Sequence, residues 1–184
     1  CDYIFFTDCD ALASANVLEA HLSNFSPGCF LLGSMIRMSK EETEMLTPED
    51  IMAGAFEGKL TPDIFGKLRR ENRIARLRTF LRMRREPHIY GTNFSVTKDA
   101  LLKVNGYDEN FRGWGNADGD LRERLKMIGL RPKPIYDEAI VLHMYHQRDP
   151  TAPLRLNRAY ARRRNIPARC LNGIMKLQKD GQAQ

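Results

Sequence analysis

Two carboxylates, Asp8 and Asp10, stand one residue apart directly after the apolar run Tyr3-Ile4-Phe5-Phe6-Thr7. Carboxylates so spaced at a strand end can direct oxygens at one hard divalent cation or at a ribose. His143-Met144-Tyr145-His146 follows a second apolar run, Ala139 to Leu142. A neutral imidazole at a strand end can complete a cation's coordination; such histidines also occur as hydrogen-bonded, partly exposed residues. The third constellation is Gly113-Trp114-Gly115-Asn116-Ala117-Asp118-Gly119-Asp120, around the only tryptophan. Flanking glycines let the loop swing and present the indole flat, and sugars offer C–H faces that pack on aromatic rings. Asp118 and Asp120 then open a helix, where the dipole favours carboxylates. Two readings stand: a capped helix start with a buried Trp, or a general base, Asp118, that deprotonates a hydroxyl while Trp114 orients a sugar.

The elements that must position these groups form an α/β pattern. Tyr3 to Thr7 reads as a strand buried on both faces, hence parallel, and in an open α/β sheet ligands gather at the carboxyl ends of strands. Ala11 to Ser23 is helix-compatible, Pro27-Gly28 turns the chain, and Cys29 to Met38 reads as one further strand. Ser39 with Glu42 forms a capping box, Thr47-Pro48 starts a second helix, and Thr61-Pro62-Asp63 starts a third. Arg69 to Arg85 is a basic helix with Ile74, Leu77 and Leu81 on one stripe. This stretch is too poor in apolar residues for a core of its own, so it reads as a helical insertion in one domain. The α/β pattern resumes at His88. A strand spans Tyr90 to Val96, and a helix capped by Thr97 closes at Asn105-Gly106. Asp118 to Ile128 is helical, a strand spans Ala139 to Leu142, and the tail from Pro153 is helical to Arg164.

The 184 residues suit one domain, and 42% apolar with 28% charged residues excludes a disordered or membrane-embedded chain. The net charge of +6 is concentrated: Lys67 to Glu86 holds nine basic residues against two acids, and a second cluster is Arg155, Arg158, Arg162, Arg163, Arg164 and Arg169. Such blocks serve anionic partners or form a solvated face. Aromatics are not interleaved with them apart from Phe80, which argues against nucleic acid. Arginines flanking the stripe at Ile74, Leu77 and Leu81 fit peripheral contact with the inner face of a membrane. The four cysteines, Cys1, Cys9, Cys29 and Cys170, form no C-x-x-C pair, so a structural zinc site is not indicated and a cytosolic setting with reduced thiols is expected. The chain opens directly on a strand, without Met or a signal-like segment, as a fragment lacking its N-terminal part would.

Taken together, the run Tyr3 to Asp10, the run Gly91 to Leu125 and Val141 to His146 resemble the family 2 inverting glycosyltransferases whose C-terminal half is like the galactosyltransferase C-terminal domain. The resemblance implies the C-terminal portion of a GT-A (nucleotide-diphospho-sugar transferase) α/β domain. It would be divided as 1–38, the end of the nucleotide-sugar half; 39–87, the helical basic insertion; 88–146, the catalytic and acceptor half; and 147–184, a basic tail. It further implies that Asp8, Asp10 and His143 bind Mn2+ or Mg2+, and that Asp118 is the general base. Asp8, Gly91, Asn93, Gly113, Trp114, Gly115 and Asp120 would meet donor or acceptor. The implied donor is a nucleotide-sugar, chiefly a UDP-sugar, and the acceptor a glycan or lipid-linked saccharide in bacterial surface-polysaccharide synthesis. Two departures stand out. Ala117 replaces the Glu that precedes the base and helps bind the acceptor, and Thr92 replaces the second glycine of Gly-Gly-Asn. The alternative is a non-catalytic sugar- or membrane-surface module left by truncation. Two or three strand–helix units that grip the nucleotide base are expected ahead of the metal motif.

Overall fold

The structure, a computed structural model, describes residues 2–83, 87 and 89–177. Cys1, Arg84, Arg85, Glu86 and His88, which figure in the sequence reading, lie outside the described residues, as do residues 178–184. The fold is mixed α/β with mixed sheets. In chain order the elements are β1 (Tyr3–Phe6), β2 (Ala11–Ala13), α1 (Val17–Ser23), β3 (Cys29–Leu32), β4 (Ser34–Arg37), α2 (Lys40–Glu44), α3 (Pro48–Met52), a 3-10 turn (Ala55–Lys59), α4 (Pro62–Phe80), β5 (Phe94–Thr97), α5 (Lys98–Val104), α6 (Ala117–Met127), β6 (Arg131–Pro134), β7 (Ile140–His143), a 3-10 turn (Ala152–Leu154) and α7 (Arg158–Ala161). No helix of the described residues is long and apolar enough to cross a membrane.

One sheet has the order β1-β5-β3-β6 and the other β2-β7-β4. β1 therefore stands at an edge and is half-buried along its length, not enclosed on both faces as its apolar sequence suggests. β6 carries Pro132 and Pro134 at the opposite edge, where a missing N–H breaks no central ladder. In the second sheet β7 is central, antiparallel to β2 and parallel to β4.

The chain forms two compact units, residues 5–95 with 132–146, and residues 1–4, 96–131 and 147–184. The core of the first is Phe30, Leu31, Leu32, Phe94, Ile135 and the β7 residues Ile140, Val141 and Leu142, all nearly inaccessible. A satellite cluster of Met38, Phe56 and Leu142 is joined by Leu12, Leu46, Leu60 and Met144. In the second unit Leu101 and Val104 of α5 are buried, as are Leu121 and Leu125 of α6.

Four elements depart from the sequence reading. Ala11–Ala13 is a strand, not the start of a helix, because it pairs with β7; α1 follows it. Cys29 to Met38 is not continuous. It breaks at Gly33, whose N–H donates to the Asn93 carbonyl and where a Cβ would lie 2.3 Å from the Asn93 side chain, so β3 and β4 enter different sheets. Residues 90–93 form a turn before β5, with the Asn93 N–H bonded to the Tyr90 carbonyl. Beyond Pro153 only short helical turns form, not one helix to Arg164.

The caps follow the side-chain chemistry. Ser39 and Thr47 each close a capping box, with Glu42 and Asp50, while Thr61 and Thr97 cap α4 and α5. Residues 40–80 are predominantly helical. α4 is one continuous helix from Pro62, fastened through Asn72, whose amide donates to Asp137 and accepts from the Tyr136 N–H, and through Arg76, whose Nε donates to the Pro134 carbonyl.

Candidate functional site

Strand register builds the first site. Ala11 pairs with His143 and Arg37 also pairs with His143, while the Met144 N–H donates to the Asp10 carbonyl at 2.9 Å. Asp10, just before β2, is thereby set beside the end of β7. Its Oδ1 lies 3.5 Å from His143 Nε2 and its Oδ2 3.6 Å from His146 Nε2. The ligating atoms of all three lie within 4.8 Å of one another. His143 and Asp10 are half-buried, and His146 opens the site to solvent.

The His143 ring is oriented by its Nδ1, 2.9 Å from the Met144 carbonyl. A carbonyl only accepts, so Nδ1 carries the proton and in the neutral ring Nε2 presents its lone pair toward Asp10. A lone pair facing a carboxylate calls for a proton or a cation between them. Cis ligand atoms around a divalent cation with bonds near 2.1 Å lie about 3.0–3.4 Å apart, so the two Asp10–imidazole separations need only slight contraction, while the two imidazoles would close on each other from within 4.8 Å. One carboxylate and two imidazoles suit a borderline or hard divalent cation, and an acceptor for the ring N–H on the far side is the usual support of a metal-binding histidine.

Two sequence expectations are redrawn here. His146 joins Asp10 and His143, whereas the sequence reading names Asp8, Asp10 and His143; the signal for His146 is the second imidazole three residues on, past the end of β7. Asp8 is exposed and does not belong to the group, its carbonyl instead closing the turn to the Ala11 N–H.

Asn93 was expected to face a ligand. It is fully buried: its amide donates to the Ser34 carbonyl at 2.7 Å and the Ala139 carbonyl at 3.1 Å, and its Oδ1 meets His21 Nε2 at 2.9 Å. It bridges the starts of β4 and β7 and so acts on the site through strand placement. His21, itself buried and bonded through Nδ1 to Ser95, is held below the ordinary imidazole pKa by burial, with the Asn93 bond opposing. Gly91 lies in the turn before β5.

The tryptophan loop belongs to the other unit. Trp114 is exposed, so it is not the buried tryptophan of a merely capped helix start. Its backbone is tied to the tail. The Trp114 N–H donates to Thr151 Oγ1 at 2.8 Å, the Arg112 N–H donates to Asn157 Oδ1 at 2.8 Å, and Asn157 Nδ2 donates to the Gly115 carbonyl at 2.8 Å. Thr151 is in turn oriented by Asp149, whose carboxylate accepts from its hydroxyl and N–H and is held below the usual range by those bonds. Gly113 has φ +61, and a Cβ there would lie 2.3 Å from Thr151 Oγ1, so only glycine fits.

Asp118 and Asp120, two residues apart, have different fates. Asp118 is half-buried in the first turn of α6 and accepts from the Tyr107 hydroxyl at 2.9 Å. Asp120 is buried, and both its oxygens meet guanidinium groups: Arg124 Nε at 2.7 Å and Arg163 at 3.2 Å. Arg163 also bonds Asp108, which accepts from Tyr160; burial, then that bond, pushes the Tyr160 phenol up. Asp120 thus anchors the tail onto α6 and presents no oxygen to a ligand. Cys170, also buried here, has its thiol pKa raised by burial.

Residues 73–147 match the family model described as the N-terminal domain of galactosyltransferase. Beta-1,4-galactosyltransferase 4 of Mus musculus is 37% identical over 79 residues, which are 41% of this chain and 22% of the relative. The Homo sapiens form is 29% identical over 77 residues, with the same coverage. Beta-1,4-galactosyltransferase 3 of Homo sapiens is 33% identical over 45 residues, 24% of this chain and 12% of that protein. These likenesses support a glycosyltransferase relationship. The aligned stretch spans about a fifth of the length of the first of these relatives. The family match includes Asn93, Trp114, Asp118, His143 and His146, whereas Asp10 lies outside it.

Proposed function

We propose that the protein is a metal-dependent, inverting glycosyltransferase with a GT-A domain, in which residues 39–87 are an insertion. The observation that carries the reading is the convergence of Asp10, His143 and His146. Asp10 is far from the two histidines in sequence, and the histidines lie in the stretch that resembles galactosyltransferases.

Asp10, His143 and His146 would hold Mn2+ or Mg2+, a cation that, when bound, neutralises charge on a departing diphosphate. The donor is a nucleoside-diphosphate sugar, with UDP as the nucleotide, and the acceptor a saccharide, free or lipid-linked. Asp118 accepts the proton of the acceptor hydroxyl, held for that task by Tyr107. The acceptor oxygen bonds to the anomeric carbon from the face opposite the leaving group, the bond from that carbon to the diphosphate oxygen breaks, and the sugar inverts. Trp114 offers its exposed indole to a sugar C–H face. Ala117 presents no carboxylate to the acceptor, which favours an acceptor less dependent on a charged hydrogen-bond partner. We place this work in surface-polysaccharide synthesis in the cytoplasm.

The test is transfer from UDP-galactose and other UDP-sugars to a panel of saccharide acceptors, with product anomeric configuration read by proton NMR. Transfer with inversion that stops on chelation supports the reading. Retention of configuration, or transfer unaffected by chelation, contradicts it.

A further inference from the structure

α4 turns two unlike faces. Leu68, Asn72 and Ala75 are buried, and with Arg76 they fasten the helix to residues 134–138. Helical spacing of 100° per residue places Ile74, Leu77 and Leu81 on the opposite side, with Phe80 on its flank. They are 41%, 56%, 57% and 83% exposed, with Met83 just beyond them. Exposure of so many large apolar side chains is unusual for a solvated helix. Arg70 and Arg73 fall within the same stripe, Lys67 and Arg78 along its edge, and Arg82 follows its end. Of the helix's acids, Asp63 sits in the first turn, far from the apolar end, and Glu71 pairs with Lys67.

We propose that this face docks reversibly on an anionic lipid surface. Arginine stems lie along an acyl boundary with guanidinium groups at the phosphates, while Leu77, Phe80 and Leu81 enter between the lipids. Charge selects this occupant. A second copy of the same face would bring like charges together, and a stripe that is mainly aliphatic offers no stacking platform to nucleic acid. The inference is independent of the glycosyltransferase reading.

The test is co-sedimentation of the chain with vesicles of phosphatidylcholine alone and of phosphatidylcholine mixed with phosphatidylglycerol. It compares the native chain with two variants, Arg73→Gln/Arg78→Gln/Arg82→Gln and Leu77→Ser/Phe80→Ser. Both leave Leu68, Asn72, Ala75 and Arg76 in place, and circular dichroism checks that they fold. The native chain is expected to bind the anionic vesicles selectively, and the arginine variant to lose about a hundredfold in partitioning. The serine variant is expected to lose binding as well, since both charge and insertion contribute. Equal binding to both vesicle types, no binding to either, or unchanged binding by the variants overturns the proposal. Capture on poly-glutamate resin without vesicle binding also overturns it and reassigns the face to an acidic protein partner.

Discussion

The carboxylate of Asp10 meets Nε2 of His143 at 3.5 Å, and backbone register is what brings them together. Ala11 is paired with His143, and Asp10 accepts from the Met144 N–H, so the two side chains leave adjacent strand ends. Any change that slips β2 against β7 by one residue would turn the strand's side chains to the opposite face of the sheet and dismantle the site.

Asp118 and Asp120 differ in burial and in partners: Tyr107 for the first, Arg124 and Arg163 for the second. Asp118→Asn is expected to leave thermal stability within about 0.5 kcal/mol of native, as a half-buried polar swap should, and to lower turnover by about 10² or more if it is the base. Asp120→Ala strips a buried carboxylate from Arg124 and Arg163 and should cost about 3–5 kcal/mol. Denaturant melts of both, alongside transfer assays, check this; equal stability loss in the two would contradict the assignment.

Trp114, as the only tryptophan, reports on its own loop. Asn157→Ala removes the bonds to the Arg112 N–H and Gly115 carbonyl, so acrylamide quenching of the indole should rise above native while the fold persists. Asn157→Asp keeps an acceptor for the Arg112 N–H and should fall between. Identical quenching in all three would show that the tail does not hold the loop.

Much of the helical part was legible because capping is local: Ser39, Thr47, Thr61 and Thr97 need only neighbours within three residues. The Asp10 and His143 pairing was legible as two strand ends bearing metal-competent groups. Long-range partners hid the rest. Gly33 breaks a strand because Asn93, far along the chain, fills the space a side chain would need. Asp120 reads as a helix-start acid until Arg163 of the tail arrives. The apolar spacing of Ile74, Leu77 and Leu81 names a stripe on α4 but not its direction. Asn72 and Arg76 settle that by binding residues 134–138, which leaves the stripe outward.

His21 makes stability depend on pH. Its folded pKa lies below the ordinary 6.5 because burial disfavours the imidazolium. The unfolded chain therefore takes up a proton more readily, and stability contributed by the neutral ring is present above pH 6.5 and is lost as pH falls below it. Urea midpoints measured across that range should decline on acidification, and His21→Gln should flatten the decline. The same slope in that variant would assign the effect elsewhere.

Thiol accessibility should follow burial. Cys9 is exposed and Cys170 is buried with its thiol pKa raised. A maleimide reagent should label Cys9 within minutes and Cys170 only on unfolding, with mass spectrometry of peptides locating the adducts; prompt labelling of Cys170 would contradict the packing described.

The most direct measurement is a Mn2+ titration, by water-proton relaxation or calorimetry, of the native chain and of Asp10→Ala, His146→Ala and Asp8→Ala. The account predicts one site in the native chain and a loss of about a hundredfold or more in affinity for Asp10→Ala and His146→Ala, at least what displacing a supporting group would cost. Asp8→Ala should bind within a few-fold of native. No binding by the native chain, or Asp10→Ala and His146→Ala binding as tightly as native, would contradict it.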